Sequence, residues 1–125
     1  MIEIVDEKTM KLRTAVILCG GKGTRLGLLG KKIPKTLVEI NNRAILWYII
    51  NSLLINSFNH FILPIGYMGE AIKKYIKNNF FGKNYKIDII KTGINSSISS
   101  RIHQIKNKIS SDNFLLLNGD AIFNF

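Results

Sequence analysis

The sequence predicts an open, mainly parallel α/β sheet with helices on both faces. Three observations lead there: four short apolar runs of strand length, helical spacing of apolar residues between them, and a glycine closing each run within two residues. A chain of 125 residues has room for one domain with a substantial core.

Thr14 to Cys19 is a continuous apolar run that stops at Gly20-Gly21, the pattern of a buried parallel strand. Gly20 to Pro34 has three further glycines, a cluster of cations and no apolar period, and reads as a mobile loop. Thr36 to Ile40 reads as briefly extended, and Asn41-Asn42 as a turn. From Ala44 to Ile55 the apolar side chains recur at helical spacing, which predicts the first helix. His60 to Ile65 is the second strand, closed by Gly66, with Pro64 placed at its end because proline cannot donate within a ladder. Glu70 to Asn79 predicts a helix with Ile72, Tyr75 and Ile76 on one face and Lys73, Lys74 and Lys77 largely opposite. Lys86 to Lys91 is the third strand. Ile98, Ile102, Ile105 and Ile109 predict a helix over Ser97 to Ile109, and Asn113 to Leu117 a fourth, buried strand ended by Asn118-Gly119-Asp120. In this alternation the crossovers are right-handed, and ligands collect beyond the carboxyl ends of the strands.

Composition narrows the function classes. Eighteen Lys and Arg face eight Asp and Glu, a net charge of +10 that attracts nucleic acid, anionic membrane or phosphorylated small molecules. The aromatics fall mostly in core runs rather than among cations, so a nucleic-acid partner is not expected. The apolar runs are far too short to span a bilayer, and Glu3, Asp6 and Glu7 fit no secretory signal, so no membrane partner and a cytoplasmic location are expected. Cys19, the single cysteine, reads as a small core residue. His60 and His103 read as structural or solvated rather than catalytic.

The chemistry concentrates in Gly20-Gly-Lys-Gly-Thr-Arg-Leu26, directly after the first strand. Its glycines let backbone amides approach a ligand and form an anion nest, Arg25 adds a planar donor fork for phosphate oxygens, and Lys35 behind Pro34 adds a point charge. A P-loop of the Walker A kind fails, since Arg25 stands where its first glycine belongs and Lys32 where Ser or Thr is required. The dinucleotide fingerprint fails at Leu26.

Leu18-Cys-Gly-Gly-Lys-Gly-Thr-Arg-Leu26 followed by Pro34-Lys35 resembles the G-G-x-G-T-R-L and P-K signature of the sugar-phosphate nucleotidyltransferases, and Asn118-Gly-Asp120 resembles that family's strand-end G-D. Ala44 to Ile50, Gly66-Tyr-Met-Gly69 with Ile72 to Tyr75, and Thr92-Gly93 followed by Arg101 are similar in order and spacing to its cytidylyltransferase branch. The resemblance implies a Rossmann-like domain of the nucleotide-diphospho-sugar transferase type, cut short here, with residues 1–12 a polar leader and 13–125 the nucleotide-binding N-terminal part. It implies transfer of CMP from CTP to a phosphorylated acceptor, a sugar 1-phosphate, with release of pyrophosphate, for cell-surface polysaccharide precursors. Phosphorylated glutamine, as in capsule phosphoramidate synthesis, stays open as the acceptor, as does a noncatalytic nucleotide-binding module. Arg25 and Lys35 are implied as catalytic. Leu18, Gly20, Gly21, Gly23, Thr24, Arg25, Gly66, Tyr67, Thr92, Gly93, Asn118 and Gly119 are implied as nucleotide-binding, and Asp120 as the ligand of Mg²⁺. A homo-oligomer is expected, and the 125-residue chain alone is expected to be inactive. Two departures stand out: the usual P-K-P reads Pro34-Lys-Thr36, and the connection from Phe80 to Lys86 is short.

Overall fold

The computed structural model describes residues 12–19, 24–26, 31–66, 68–93, 97–109 and 113–119. The elements run β1 (Thr14–Leu18), β2 (Thr24–Leu26), β3 (Lys31–Ile33), a 3₁₀ turn (Lys35–Leu37), β4 (Glu39–Ile40), β5 (Arg43–Ala44), α1 (Ile45–Ile55), β6 (His60–Ile65), α2 (Gly69–Asn79), β7 (Lys86–Lys91), α3 (Ile98–Ile105), a second 3₁₀ turn (Lys106–Lys108) and β8 (Phe114–Asn118).

The main sheet has the order β7-β6-β1-β8, and every pairing in it is parallel. Alternation along the strands divides the core. Ala15, Ile17 and Cys19 share one face with Phe61, Leu63 and Ile65, and that face packs against α1 and α2 through Leu46, Ile49, Ile50, Ile72 and Ile76. Val16, Leu18 and Ile62 occupy the other face, covered by Ile105 of α3. The predicted two-faced α/β sheet is therefore the observed fold. Two crossovers lead outward from β1 to β7, and the third returns across the opposite face to β8. The order thus reverses between β1 and β8, the topological switch point of this sheet.

Four expectations need correction. The segment read as a loop contains an antiparallel pair, β2 with β3, in which Thr24 faces Ile33 and Arg25 faces Lys32. Strands of three residues held by main-chain bonds leave no apolar period to read. Lys35 to Leu37 is a 3₁₀ turn rather than extended, with Leu37 N–H donating to Pro34 O at 2.9 Å. The third helix ends at Ile105 and tightens into 3₁₀ geometry before Ile109. β8 is not buried: Phe114, Leu115 and Leu116 are 37–39% exposed, because the strand lies at the sheet edge, bonded to β1 alone among the described residues. The Asn41-Asn42 turn is present, both residues having positive φ (52° and 66°) as the tight β4–β5 hairpin requires. Pro64 is the fifth of six residues in β6, and its carbonyl accepts Cys19 N–H at 3.3 Å.

At the amino end of the sheet, His60 is buried between Thr14 Oγ1 (3.0 Å from Nδ1) and Asp88 Oδ2 (2.8 Å from Nε2), and so stitches three adjacent strands. His103 is exposed on α3. Among the described residues no helix is long and apolar enough to cross a membrane.

Candidate active site

The carboxyl ends of the four parallel strands gather most of the residues singled out above. Leu18 ends β1 and is paired in register with Asn118, the last residue of β8. Gly119 N–H donates to Leu18 O at 2.9 Å, continuing the ladder one residue further. A Cβ at Gly119 would stand 2.3 Å from Thr36 Cγ2 and 2.8 Å from Leu18 O, so only glycine lets the 3₁₀ turn close onto the end of β8. That contact seats the exposed Lys35, one residue before Thr36, beside the switch point. Thr36 Oγ1 is buried there and has no hydrogen-bond partner among the described residues.

Beyond β6 and β7 lies a cleft of about 340 Å³. It is lined by Ile65, Gly66, Met68, Gly69 and Gly93, and by Glu70 and Lys91. Met68 takes the left-handed conformation (φ 60°) as the residue preceding α2, and Gly93 has φ 91°. A Cβ at Gly69 would meet Ile65 Cδ1 at 2.7 Å, so a glycine there sets α2 tightly against β6. Thr92 holds the two strand ends together: its N–H (2.9 Å) and its hydroxyl (3.3 Å) both donate to Ile65 O, and its carbonyl accepts from Gln104 Nε2 at 3.1 Å. Its side chain is thus engaged within the fold.

Lys91 Nζ lies 3.1 Å from Glu70 Oε1, and Lys73 Nζ approaches the same oxygen at 3.9 Å. The bond from Lys91, then the charge of Lys73, holds the Glu70 carboxyl below its ordinary range. At the end of β1, burial pushes the Cys19 thiol up to about 12, opposed by the nearby positive charge of Arg101 from α3. Cys19 is consequently an inert protonated thiol.

Thr24 and Arg25 belong to β2, while Gly20, Gly21, Gly23, Tyr67 and Asp120 lie outside the described residues. Among the described residues no group of three or more His, Cys, Asp or Glu could hold a metal ion. Glu70, Lys91 and Thr36 were not legible as site residues. Glu70 and Lys91 are ordinary helix-start and strand-end charges in sequence, and only the departure from P-K-P drew attention to Thr36.

The model of the family described as nucleotidyl transferase matches residues 14–125. The chain belongs to this nucleotidyltransferase family. It is 36% identical over 129 residues to a probable glucose-1-phosphate cytidylyltransferase of Bacillus subtilis, covering 88% of this chain and 51% of that one. It is 37% identical over 111 residues to a D-glycero-alpha-D-manno-heptose 1-phosphate guanylyltransferase of Campylobacter jejuni, covering 87% and 48%. Among solved structures, HddC of Yersinia pseudotuberculosis, complexed with GMP-PN, superposes with a TM-score of 0.73 at 28% identity over 87% of this chain and 48% of that one. The inositol-1-phosphate CTP transferase of T. maritima, at 19% identity and a TM-score of 0.70, shares the fold. This chain thus spans about half the length of the relatives it matches. The recognised signature and the predicted fold both agree with these likenesses.

Proposed function

We propose that this chain carries the nucleotide-binding part of an enzyme that moves CMP from CTP to a phosphorylated acceptor, a sugar 1-phosphate, releasing pyrophosphate. The observation that carries the reading is the closure of the Lys35 turn onto Gly119 at the β1–β8 switch point, directly beside the strand from which the glycine-rich string departs. Ligands of open parallel sheets bind at such a point.

The acceptor phosphate oxygen attacks the α-phosphorus of CTP, forming one P–O bond as the α–β bridging bond breaks and pyrophosphate leaves in line. The nucleophile is already an anion, so no general base is needed, and positioning with charge neutralisation supplies the catalysis. Arg25 offsets charge growing on the pyrophosphate, and Lys35 orients the two reacting phosphates. Gly20, Gly21 and Gly23 bring backbone amides to the triphosphate. Gly66, Tyr67 and Gly93 frame the base, with Thr92 fixing the cleft that holds it. Asp120, directly after Gly119, suits Mg²⁺, which takes one or two protein carboxylates and fills its shell with water and phosphate oxygens. When bound, the metal neutralises phosphate charge.

A specific observation supports a second reading in which GTP replaces CTP: a guanylyltransferase is as similar in sequence as the cytidylyltransferase, 37% against 36%. Calorimetric titration with CTP, GTP and UTP separates the two. CTP should bind most tightly; GTP first establishes the second reading, equal affinities remove the base assignment, and binding of none overturns both. Pyrophosphate release with glucose 1-phosphate, a heptose 1-phosphate or phosphoglutamine then identifies the acceptor.

A further inference from the structure

We propose that Glu70 is a specificity-determining residue, one that selects bases bearing an exocyclic amino group, cytosine or guanine, over uracil. The inference rests on the nucleotide reading above and adds to it the residue that reads the base.

The cleft between the β6 and β7 ends has the size for a heterocycle and is lined by Met68, Ile65 and three glycines beside its charged pair. Its two charged groups, Glu70 and Lys91, stand together at 3.1 Å. Because a carboxylate already occupies the first turn of α2 and takes Lys91, this cleft does not suit a phosphate, which would have to displace Glu70 from its lysine. A neutral group with N–H donors suits it.

The two ion pairs leave an opening for such a donor. Lys91 and Lys73 meet Glu70 at Oε1, at 3.1 and 3.9 Å. An ionised carboxylate accepts at both oxygens. Cytosine offers its N4 amino group, and guanine offers N1–H with its N2 amino group, a pair that matches a carboxylate. Uracil presents a carbonyl oxygen where cytosine carries the amino group, and its N3–H is flanked by two carbonyls that the carboxylate repels. Lysines on Oε1 keep Glu70 ionised and therefore an acceptor only.

The test is titration of the full chain and of Glu70→Gln and Lys74→Ala with CTP, GTP and UTP, alongside thermal melts. Glu70 is three-quarters exposed, so solvent screens the contact and the expected effect is roughly three- to tenfold. Glu70→Gln should lower the ratio of CTP to UTP affinity by that factor from both sides, because an amide also donates to the uracil carbonyl. Its melting temperature should match the parent. Lys74→Ala, at an exposed lysine of α2 outside the cleft, should keep the preference, and an equal loss there would overturn the role of Glu70. The CTP and GTP arms tell which amino-bearing base is bound. An unchanged CTP to UTP ratio in Glu70→Gln, or no preference in the parent, overturns the role of Glu70 and leaves the nucleotide reading standing. A parent that binds none of the three overturns that reading and this inference with it.

Discussion

Gly119 and Thr36 are in contact so close that a single methyl group does not fit between them: a Cβ on Gly119 would lie 2.3 Å from Thr36 Cγ2. Leu18 O, 2.8 Å from the same point, is backbone and cannot rotate away. Gly119→Ala should therefore push the Lys35 turn off the end of β8 and destabilise the fold by about 1–3 kcal/mol, the usual cost of overpacking. Chemical denaturation measures it. An unchanged midpoint would mean the turn is not locked to β8.

The same contact isolates a hydroxyl. Thr36 Oγ1 is buried without a partner among the described residues, and leaving a polar group so costs about 1–3 kcal/mol. Thr36→Val keeps the methyl that touches Gly119 and removes the hydroxyl, so it should raise stability by about 1 kcal/mol. Thr36→Ala, which loses the methyl as well, should not. Denaturant midpoints for the two variants decide it, and a destabilised valine variant would show that the hydroxyl has a partner in solution.

At the opposite end of the sheet the polar chemistry is structural. Nε2–H of His60 donating to Asp88 leaves Nδ1 to accept from the Thr14 hydroxyl, and the ring is buried. Asp88→Ala leaves that donor unpaired and should cost about 1–3 kcal/mol. Nucleotide affinity should not change, because β6 separates His60 from the cleft by five residues, roughly 16 Å of strand. Melts and titrations of one variant preparation check both halves, and a large loss of affinity in a folded Asp88→Ala protein would contradict the assignment.

Cys19 carries a pH signature. Its thiol is held at about 12 by burial against 9.0 in an open chain, so between these values the unfolded chain has released a proton that the native protein keeps. Stability is then fully present below pH 9 and falls as pH rises, by up to about 1.4 kcal/mol per pH unit from this group. Cys19→Ala should show a shallower decline over pH 9–11 than the parent, since the lysine and tyrosine titrations are common to both. Native Cys19 should also resist alkylation until the chain is denatured. Parallel stability profiles for the two proteins would refute the burial argument.

Elements whose side chains face a core were legible in the sequence. The runs at Thr14, His60 and Lys86 are strands because their residues alternate between two covered faces, and α2 shows its Ile72–Ile76 stripe for the same reason. Phe114 to Leu116 misled because an apolar run records composition rather than position, and β8 lies at an edge. The β2–β3 pair was hidden because backbone bonds leave no periodic trace. In the candidate site, the glycines of the string lie outside the described residues, and order and spacing singled out Lys35, which the structure seats on a 3₁₀ turn beside the switch point. The Glu70–Lys91 pair was not, since it joins residues 21 positions apart through the return of β7 alongside β6.

Lys35 offers the most direct test of the switch-point site. It is exposed on a 3₁₀ turn, so Lys35→Ala should alter stability by less than about 0.5 kcal/mol. If it orients reacting phosphates, the same change removes a charge-assisted hydrogen bond worth about 1.5–3 kcal/mol, at least roughly tenfold in affinity for CTP or for a sugar phosphate. A chain of net charge +10 attracts any anion, so a general loss of charge must be separated from a local one. Lys74→Ala is the matched control, an equally exposed lysine on α2 that lines neither the cleft nor the switch point. Titration of both variants at two salt concentrations should show the large loss for Lys35→Ala alone, with a smaller salt dependence remaining. Arg25→Ala should follow Lys35→Ala if Arg25 meets the triphosphate as proposed. Equal, slight losses for Lys35→Ala and Lys74→Ala would reduce the turn to one more solvated cation and remove Lys35 from the reaction.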